Sequence, residues 1–405
     1  MIKTAILFLA LVITCAAALE RADAASAPRA PTTNGQPQPW FPIGVWFEGN
    51  PDWAGYPGDV AGARGYYGRC FADLAAHGFN AAVVPNCPES LWTTLLRSAR
   101  EHGINIVLEI GPLARLVSQP EAVRESEAYA AAERIFHQIG EFESLARYQI
   151  RDEPPPEMVP NWLMVRRALA AVDPARPAFS CFNNPDSLAR AREQASLAEA
   201  VFDIYPHGVN TPPQSLGHFL PALDRFMAAA GNAAPWPVLQ SFAKPGSWRY
   251  PSAQELRAVT YLSLAAGAKG LLYFLYQTMP NHPERLEGLI DPGGNPTPMY
   301  ATAAELAREL GKLSRLLLSL KPAEPPADVQ GEVRVGSFTD DAGHSVLIIA
   351  SARPDQAVTA GVSANAAHAW QDALTAERFT PKEGRLSVPL GPGGGRVLVE
   401  QVRGD

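Results

Sequence analysis

Between residues 41 and 321, eight short apolar runs alternate with eight longer amphipathic ones. From Pro322 the texture changes to short alternating runs separated by turns. Together these two observations predict an α/β chain. A (β/α)8 TIM barrel occupies residues 41–321, and a small C-terminal antiparallel β-domain, sandwich-like, occupies 322–405. A doubly wound open sheet is the competing arrangement. It calls for a glycine-rich first βα turn, and "FEGNPDWAGYPG" does not have the GxGxxG spacing.

The elements follow in order. Residues 1–24 read as a secretory signal peptide: Lys3, an apolar core from Ala5 to Ile13, then small residues. Cleavage after Ala18 and cleavage after Ala24 both fit. Cys15 has the look of a lipoprotein site, but Thr14 stands where a small residue is expected, so lipidation is disfavoured. The apolar core is too short for a lasting membrane anchor. The expected location is therefore secreted or periplasmic, with no stable membrane span. Residues 25–40, "ASAPRAPTTNGQPQPW", form a linker without periodicity.

Strands are expected at Phe41–Phe47, Phe79–Pro85, Ile104–Ile110, Ala146–Arg151, Ala178–Phe182, Val201–Tyr205, Val238–Phe242 and Gly270–Tyr276. Each is a near-continuous run of Val, Ile, Leu, Phe and Tyr, as strands buried on both faces are. Helices fill the gaps. "YYGRCFADLAAHG" and "PESLWTTLLRSAREHG" carry apolar residues three and four apart and end at Gly78 and Gly103, where a helix C-cap belongs. "SEAYAAAERIFHQIGEFE", "EMVPNWLMVRRALAAVD", "DSLARAREQASLAEA", "QSLGHFLPALDRFMAAAG" and "SAQELRAVTYLSLAAGA" follow, and "TPMYATAAELARELGKLSRLLLSL" comes after the eighth strand. "KPAEPPADVQ" is a linker. "EVRVGSF", "HSVLIIA", "QAVTAGV", "RLSVPL" and "GRVLVEQV" then alternate as antiparallel strands do.

The net charge of −7 argues against a nucleic-acid partner. If Cys15 leaves with the signal, Cys70, Cys87 and Cys181 remain. One disulfide fits an exported protein, but their spacing fits no zinc pattern, and buried thiols are the simplest reading.

In barrels, chemistry sits at the C-terminal ends of the strands. Strand one delivers Trp46 and Glu48, strand two Asn86 and strand three Glu109. Strand four, "YQIRDEPPP", delivers Asp152 and Glu153. Strand five gives Asn183 and Asn184, strand six Asp203, Tyr205 and His207. Strand seven gives Gln240, with Trp248 in its loop, and strand eight Tyr276 and Gln277. Aromatic faces stack on sugar rings, while amides and acids bind hydroxyls, so this rim suits a carbohydrate cleft. There is no phosphate loop and no HExxH helix, and no cofactor or metal is implied.

Glycosidic cleavage uses two carboxyl groups, one protonated and one ionised. Side chains alternate along a strand, so Asp152 and Glu153 are not expected to face the same way. Pro154–Pro156 ends the strand's hydrogen-bond ladder and biases Glu153 towards extended geometry.

Over residues 41–320 the chain resembles the clan A glycoside hydrolases, which include β-galactosidases and cellulase-like enzymes. The likeness is carried by the "DE" ending of strand four, by "FPIGVWFE" and "FNAAVVPN" on strands one and two, and by "GLIDPGGNPTPMYATAAEL" after strand eight. That clan ends strand four on Asn-Glu, with the Glu as acid/base. The resemblance therefore implies Glu153 as general acid, with Asp152 in the place of Asn. The clan's nucleophilic Glu ends strand seven, where "PWPVLQSFAKPG" offers Gln240.

Three readings stay open. The base is another rim acid, Asp203 or Glu109. The substrate's own amide is the nucleophile. Or the barrel binds carbohydrate without cleaving it. The expected catalytic set is Glu153, Asp203 and Glu109. The expected substrate-binding set is Trp46, Glu48, Asp152, Asn183, Tyr205, His207, Gln240, Trp248 and Tyr276. Each has a plainer role beside it. Glu153 could pair with Arg151, Asp203 could fix a loop, Glu109 could sit in a buried ion pair, and His207 could serve its loop. The aromatics could be packing.

Overall fold

The computed structural model describes residues 40–401, together with the paired segments Thr32–Thr33 and Gln36–Pro37. The signal segment and Cys15 lie outside the described residues. Among the described residues no helix is long and apolar enough to cross a membrane.

The barrel strands are β1 (Ile43–Trp46), β2 (Ala81–Val84), β3 (Asn105–Glu109), β4 (Leu145–Gln149), β5, β6 (Glu199–Ile204), β7 (Ala234–Gln240) and β8 (Leu271–Phe274). β5 comes in two halves, Ala178–Phe179 and Cys181–Phe182, parted at Ser180. The parallel sheet runs from the first half of β5 through β4, β3, β2, β1, β8, β7 and β6 to the second half of β5. Its two edges thus belong to one strand, and the sheet closes into a barrel. A closed barrel has no free edge to protect. The buried Ser180 makes the break tolerable, since its Oγ accepts from the Trp162 indole N–H at 2.8 Å and the Arg151 backbone N–H at 3.3 Å.

Helices α1 (Pro51–Ala54), α2 (Val60–Ala76), α3 (Trp92–Glu101), α4 (Gly111–Ser118), α5 (Glu125–Ile139), α6 (Val159–Val172), α7 (Pro185–Gln194), α8 (Phe219–Ala230), α9 (Ala253–Ala265) and α10 (Tyr300–Ser319) connect the strands. Local chemistry sets their ends. Asp59 caps α2 by accepting from the backbone of Ala61 and Gly62, and Ser252 with Glu255 closes a reciprocal capping box on α9. Gly78 and Gly103 take left-handed backbone just beyond α2 and α3, as their positions predict. α1 and α4 were not anticipated. The helical reading of "DSLARAREQASLAEA" also runs too far, because its last residues begin β6.

Two apolar layers result. One lies between sheet and helices. The other fills the barrel, with Trp40 and Trp236 packed edge to face at 6.1 Å. A buried ion pair, Arg147 to Glu199 at 3.0 Å, ties β4 to β6.

The C-terminal segment forms β9 (Lys321–Pro322), β10 (Val329–Gln330), β11 (Val333–Thr339), β12 (Ser345–Ser351), β13 (Val358–Ser363), β14 (Ala369–Asp372), β15 (Arg378–Phe379), β16 (Arg385–Leu390) and β17 (Gly395–Gln401). They pair as two antiparallel sheets, β9-β11-β12-β17-β14-β15 and β10-β13-β16, around a shared core with Ile349, Val362, Trp370 and Val388. The larger sheet lies flush on α9: a Cβ at Gly395 would come within 2.2 Å of the Tyr261 ring.

Candidate active site

A cavity of about 530 Å³ opens at the C-terminal end of the barrel. Of the expected residues, Glu153, Asp203, Glu109, Trp46, Glu48, Asp152, Asn183, Tyr205 and Trp248 all line it. The strands deliver them because each apolar run ends on its polar residue at one level of the barrel.

The chain after β4 departs from extended geometry. Glu153 has φ +45°, in the left-handed region, although the proline after it favours extended backbone. Its N–H still reaches the Cys181 carbonyl at 3.0 Å, so the turn stays fastened to β5. The bend brings Asp152 and Glu153 to the same cavity, which the alternation of an extended strand would not allow. A non-glycine residue held in this region is strained, and such strain gathers where function over-determines the backbone.

The carboxyl groups influence one another. Asp203 is pushed up to about 8, first by burial and then by the charge of Glu153. The Cys181 thiol lies 3.6 Å from its Oδ1. Burial raises Glu109 to about 7 against the pull of the Arg151 guanidinium. Glu48 also rises to about 7 through burial, although the Asn50 N–H at 2.7 Å and the Asn86 amide at 3.2 Å favour its charge. Asp152 goes well above the ordinary aspartate range through burial and the charges of Glu109, Glu153 and Asp203; the Gln149 amide donates to it at 3.1 Å. Glu153 is the exposed member. Burial raises it too, but Arg151 and the Asn183 amide, at 2.8 Å, hold its charge. Arg151 closes no ion pair among the described residues, and its Nε is buried without a partner.

Aromatic walls complete the cavity. Phe242 and Phe274 stand edge to face at 5.0 Å, with Tyr205 against both and Trp248 against Phe242. On the rim Trp53 meets His282 at 4.5 Å. Sequence reasoning missed Trp53, Phe242, Phe274, Met279, His282, Glu284 and Leu286. Phe242 and Phe274 were legible as residues at strand ends. Trp53 sits in the four-residue helix α1 after β1, and Met279, His282, Glu284 and Leu286 in the loop after β8, where no periodicity marks them.

Three expected binding residues lie elsewhere. His207 is fully buried with its ring 3.8 Å from Glu255, and burial pushes it down to about 4. Gln240 is consumed by backbone: its Oε1 accepts from the His207 N–H at 2.9 Å and its Nε2 donates to the Arg249 carbonyl at 2.9 Å. It braces the loops after β6 and β7, and Phe242 presents itself to the cavity from that strand. Tyr276 points out of the barrel and donates to Asp73 at 2.7 Å. Cys70, Cys87 and Cys181 are free and buried.

Fold and site together define a TIM-barrel protein with a carboxylate-lined, aromatic-walled cavity at its C-terminal face. No protein-family profile matches the chain, and no curated protein matches it. Among solved structures, a glycoside hydrolase family 5 protein from Bacteroides vulgatus superposes with a TM-score of 0.61 at 13% identity, covering 94% of each chain. A GH27 β-L-arabinopyranosidase from Geobacillus stearothermophilus gives 0.58 at 11%, covering 91% of this chain and 98% of the other. α-Galactosidase I from Mortierella vinacea gives 0.56 at 12%, covering 91% and 99%. At such identities the likeness establishes the fold.

Proposed function

We propose that the protein is an exported glycoside hydrolase acting on an oligo- or polysaccharide, with Glu153 and Asp203 as its catalytic pair. The observation that carries this reading is one cavity holding carboxyl groups buried to unequal degrees. Two roles in glycosidic cleavage need two protonation states, and environments that drive pKa values apart assign them. Asp203, buried and raised to about 8, keeps its proton at neutral pH. Burial raises Glu153 too, but it is the more exposed of the two and Arg151 and the Asn183 amide pull it down, so it is the member favoured as the ion.

In this proposal Asp203 is the proton donor, in place of the Glu153 that the likeness at strand four implies. Asp203 protonates the glycosidic oxygen as the bond to the anomeric carbon breaks. Glu153 either takes a proton from the attacking water or attacks the anomeric carbon itself. The two groups stem from strand ends two positions apart, roughly 10 Å along the sheet, and their side chains converge on the cavity. The aromatic walls supply sugar platforms. The glycoside hydrolases among the structural neighbours support the same chemistry, and the signal-like first 24 residues support export.

A silent carbohydrate-binding barrel is the second reading. It is favoured by one observation: among the described residues strand seven and its loop bring Phe242 and Trp248, and no carboxylate, to the cavity. Product release from a panel of neutral and charged oligosaccharides separates the two. Turnover that Glu153→Gln abolishes while sugar affinity persists supports the enzyme. Binding without turnover by the unaltered protein supports the silent barrel.

A further inference from the structure

The rim of the cavity is uneven. From β2 to β5 the connections into the next helical turn are short: Ile110 alone joins β3 to α4, and Asn183–Asn184 alone join β5 to α7. Such a connection must rise and return, so at no more than ~3.5 Å per residue it stays close to the strand ends. On this arc every residue lining the cavity belongs to a strand or to the few residues just past its end.

From β6 round to β1 the rim is tall. Residues 205–218 join β6 to α8, 241–252 join β7 to α9, and 275–299 join β8 to α10. Trp53, Trp248, Met279, His282, Glu284 and Leu286 reach the cavity from well beyond the strand ends. Connections this long inside a compact domain are commonly functional. The β8 connection is fastened to itself and to both neighbours. Within it the Met279 N–H donates to the Leu286 carbonyl at 2.9 Å, and both side chains are buried. On the β7 side, Ala243 and Glu287 exchange backbone hydrogen bonds at 3.0 and 2.9 Å, and Lys244 Nζ donates to Glu284 at 2.7 Å. On the β1 side the Asn281 side-chain amide donates to the Asp52 carbonyl at 2.8 Å, and His282 stands edge to face on Trp53. The β6 connection joins in, since the Val209 N–H donates to the Ser247 carbonyl at 2.9 Å. These contacts make one continuous wall. A groove that lets a polymer pass through needs two low sides opposite one another. Among the described residues the rim has one low arc.

We propose that the site takes the end of a glycan chain, so that the enzyme is exo-acting and releases a short product of fixed length. This inference rests on reading the cavity as a hydrolase site. The terminal units lie under the wall, against Trp53 and His282, and the rest of the chain leaves over the low rim between β2 and β5. The cavity of about 530 Å³ is the size of a site for one small molecule, room for about two sugar units. As in any glycoside hydrolysis, water supplies a hydroxyl to the anomeric carbon and a proton to the leaving oxygen.

The test is the length of the first product. The unaltered protein is given hexamers derived from cellulose, xylan, mannan, galactan and starch, each also prepared with a bulky cap on both ends. A hexamer that is cleaved should yield a monomer or a dimer first, and its doubly capped form should be cleaved at least about tenfold more slowly. Trp53→Ala combined with His282→Ala opens the β1 end of the wall. That variant should still unfold cooperatively and should release a product one unit longer. Trimers among the first products of the unaltered protein, or equal cleavage of the capped hexamers, overturn the inference and leave the hydrolase reading standing. An unchanged product length in the folded variant also overturns it, because the wall then does not set that length. If no glycan is cleaved, the hydrolase reading falls and the inference falls with it.

Discussion

Replacing Asp203 by Asn should abolish turnover of glycosides whose leaving group needs a proton, and make the protein more stable, by an amount that grows with pH. In the folded chain Asp203 keeps its proton up to about pH 8, against an ordinary aspartate value of 3.8. Between those values the folded state holds a proton that the unfolded state has lost, so stability falls as pH rises. Four units at 1.36 kcal/mol each give ~5 kcal/mol above pH 8, and ~4 kcal/mol at pH 7. Asp203 is only 9% exposed, so solvent screening removes little of this. Asn has the same shape and never ionises, and it escapes that cost. At ~2 °C per kcal/mol for a chain of this size, the variant should melt about 10 °C higher above pH 8 and no higher below about pH 4. Thermal unfolding of both proteins across that pH range reads the difference directly. A difference that is flat with pH, or a variant less stable throughout, refutes a neutral Asp203.

Three further outcomes follow from other contacts. Arg147→Ala should cost ~3–5 kcal/mol in denaturant unfolding, because Glu199 is left charged and buried without its partner at 3.0 Å. Tyr276→Phe should cost ~1 kcal/mol through the lost bond to Asp73, and leave oligosaccharide affinity unchanged in calorimetry, because this ring faces away from the cavity. Trp248→Ala should weaken oligosaccharide binding about tenfold with little loss of stability, since its ring forms part of the cavity wall and is only half-buried.

The barrel was legible because buried parallel strands announce themselves as continuous apolar runs, and Gly78 and Gly103 mark the ends of the first two long helices. The C-terminal strands were legible by alternation. Strand ends named nine cavity residues, since a barrel fixes which end of each strand carries the site. What the sequence withheld is side-chain direction beyond the last strand residue. Tyr276 follows β8 and turns outward to Asp73, whereas Phe274, two residues earlier, turns inward. Glu153 joins Asp152 in the cavity only through left-handed backbone that its proline neighbour argues against. Gln240 and His207 read as rim residues, but the loops after β6 and β7 fold over them. Arg249 there binds Glu255 at 2.7 Å and seals the layer. Such loop closure depends on contacts far apart in the chain, and no local pattern encodes it.

The central claim is that Asp203 carries the catalytic proton and Glu153 the charge. Its most direct test is the pH dependence of turnover on an aryl glycoside whose leaving group departs without protonation, compared with one that needs a proton. On the second substrate the rate should fall above about pH 8 as Asp203 ionises, and Asp203→Asn should be inactive. On the first, Asp203→Asn should retain activity and lose that alkaline limb, while Glu153→Gln stays inactive on both. If instead Glu153→Gln is the variant rescued by the good leaving group, the proton belongs to Glu153 and this assignment of roles is wrong.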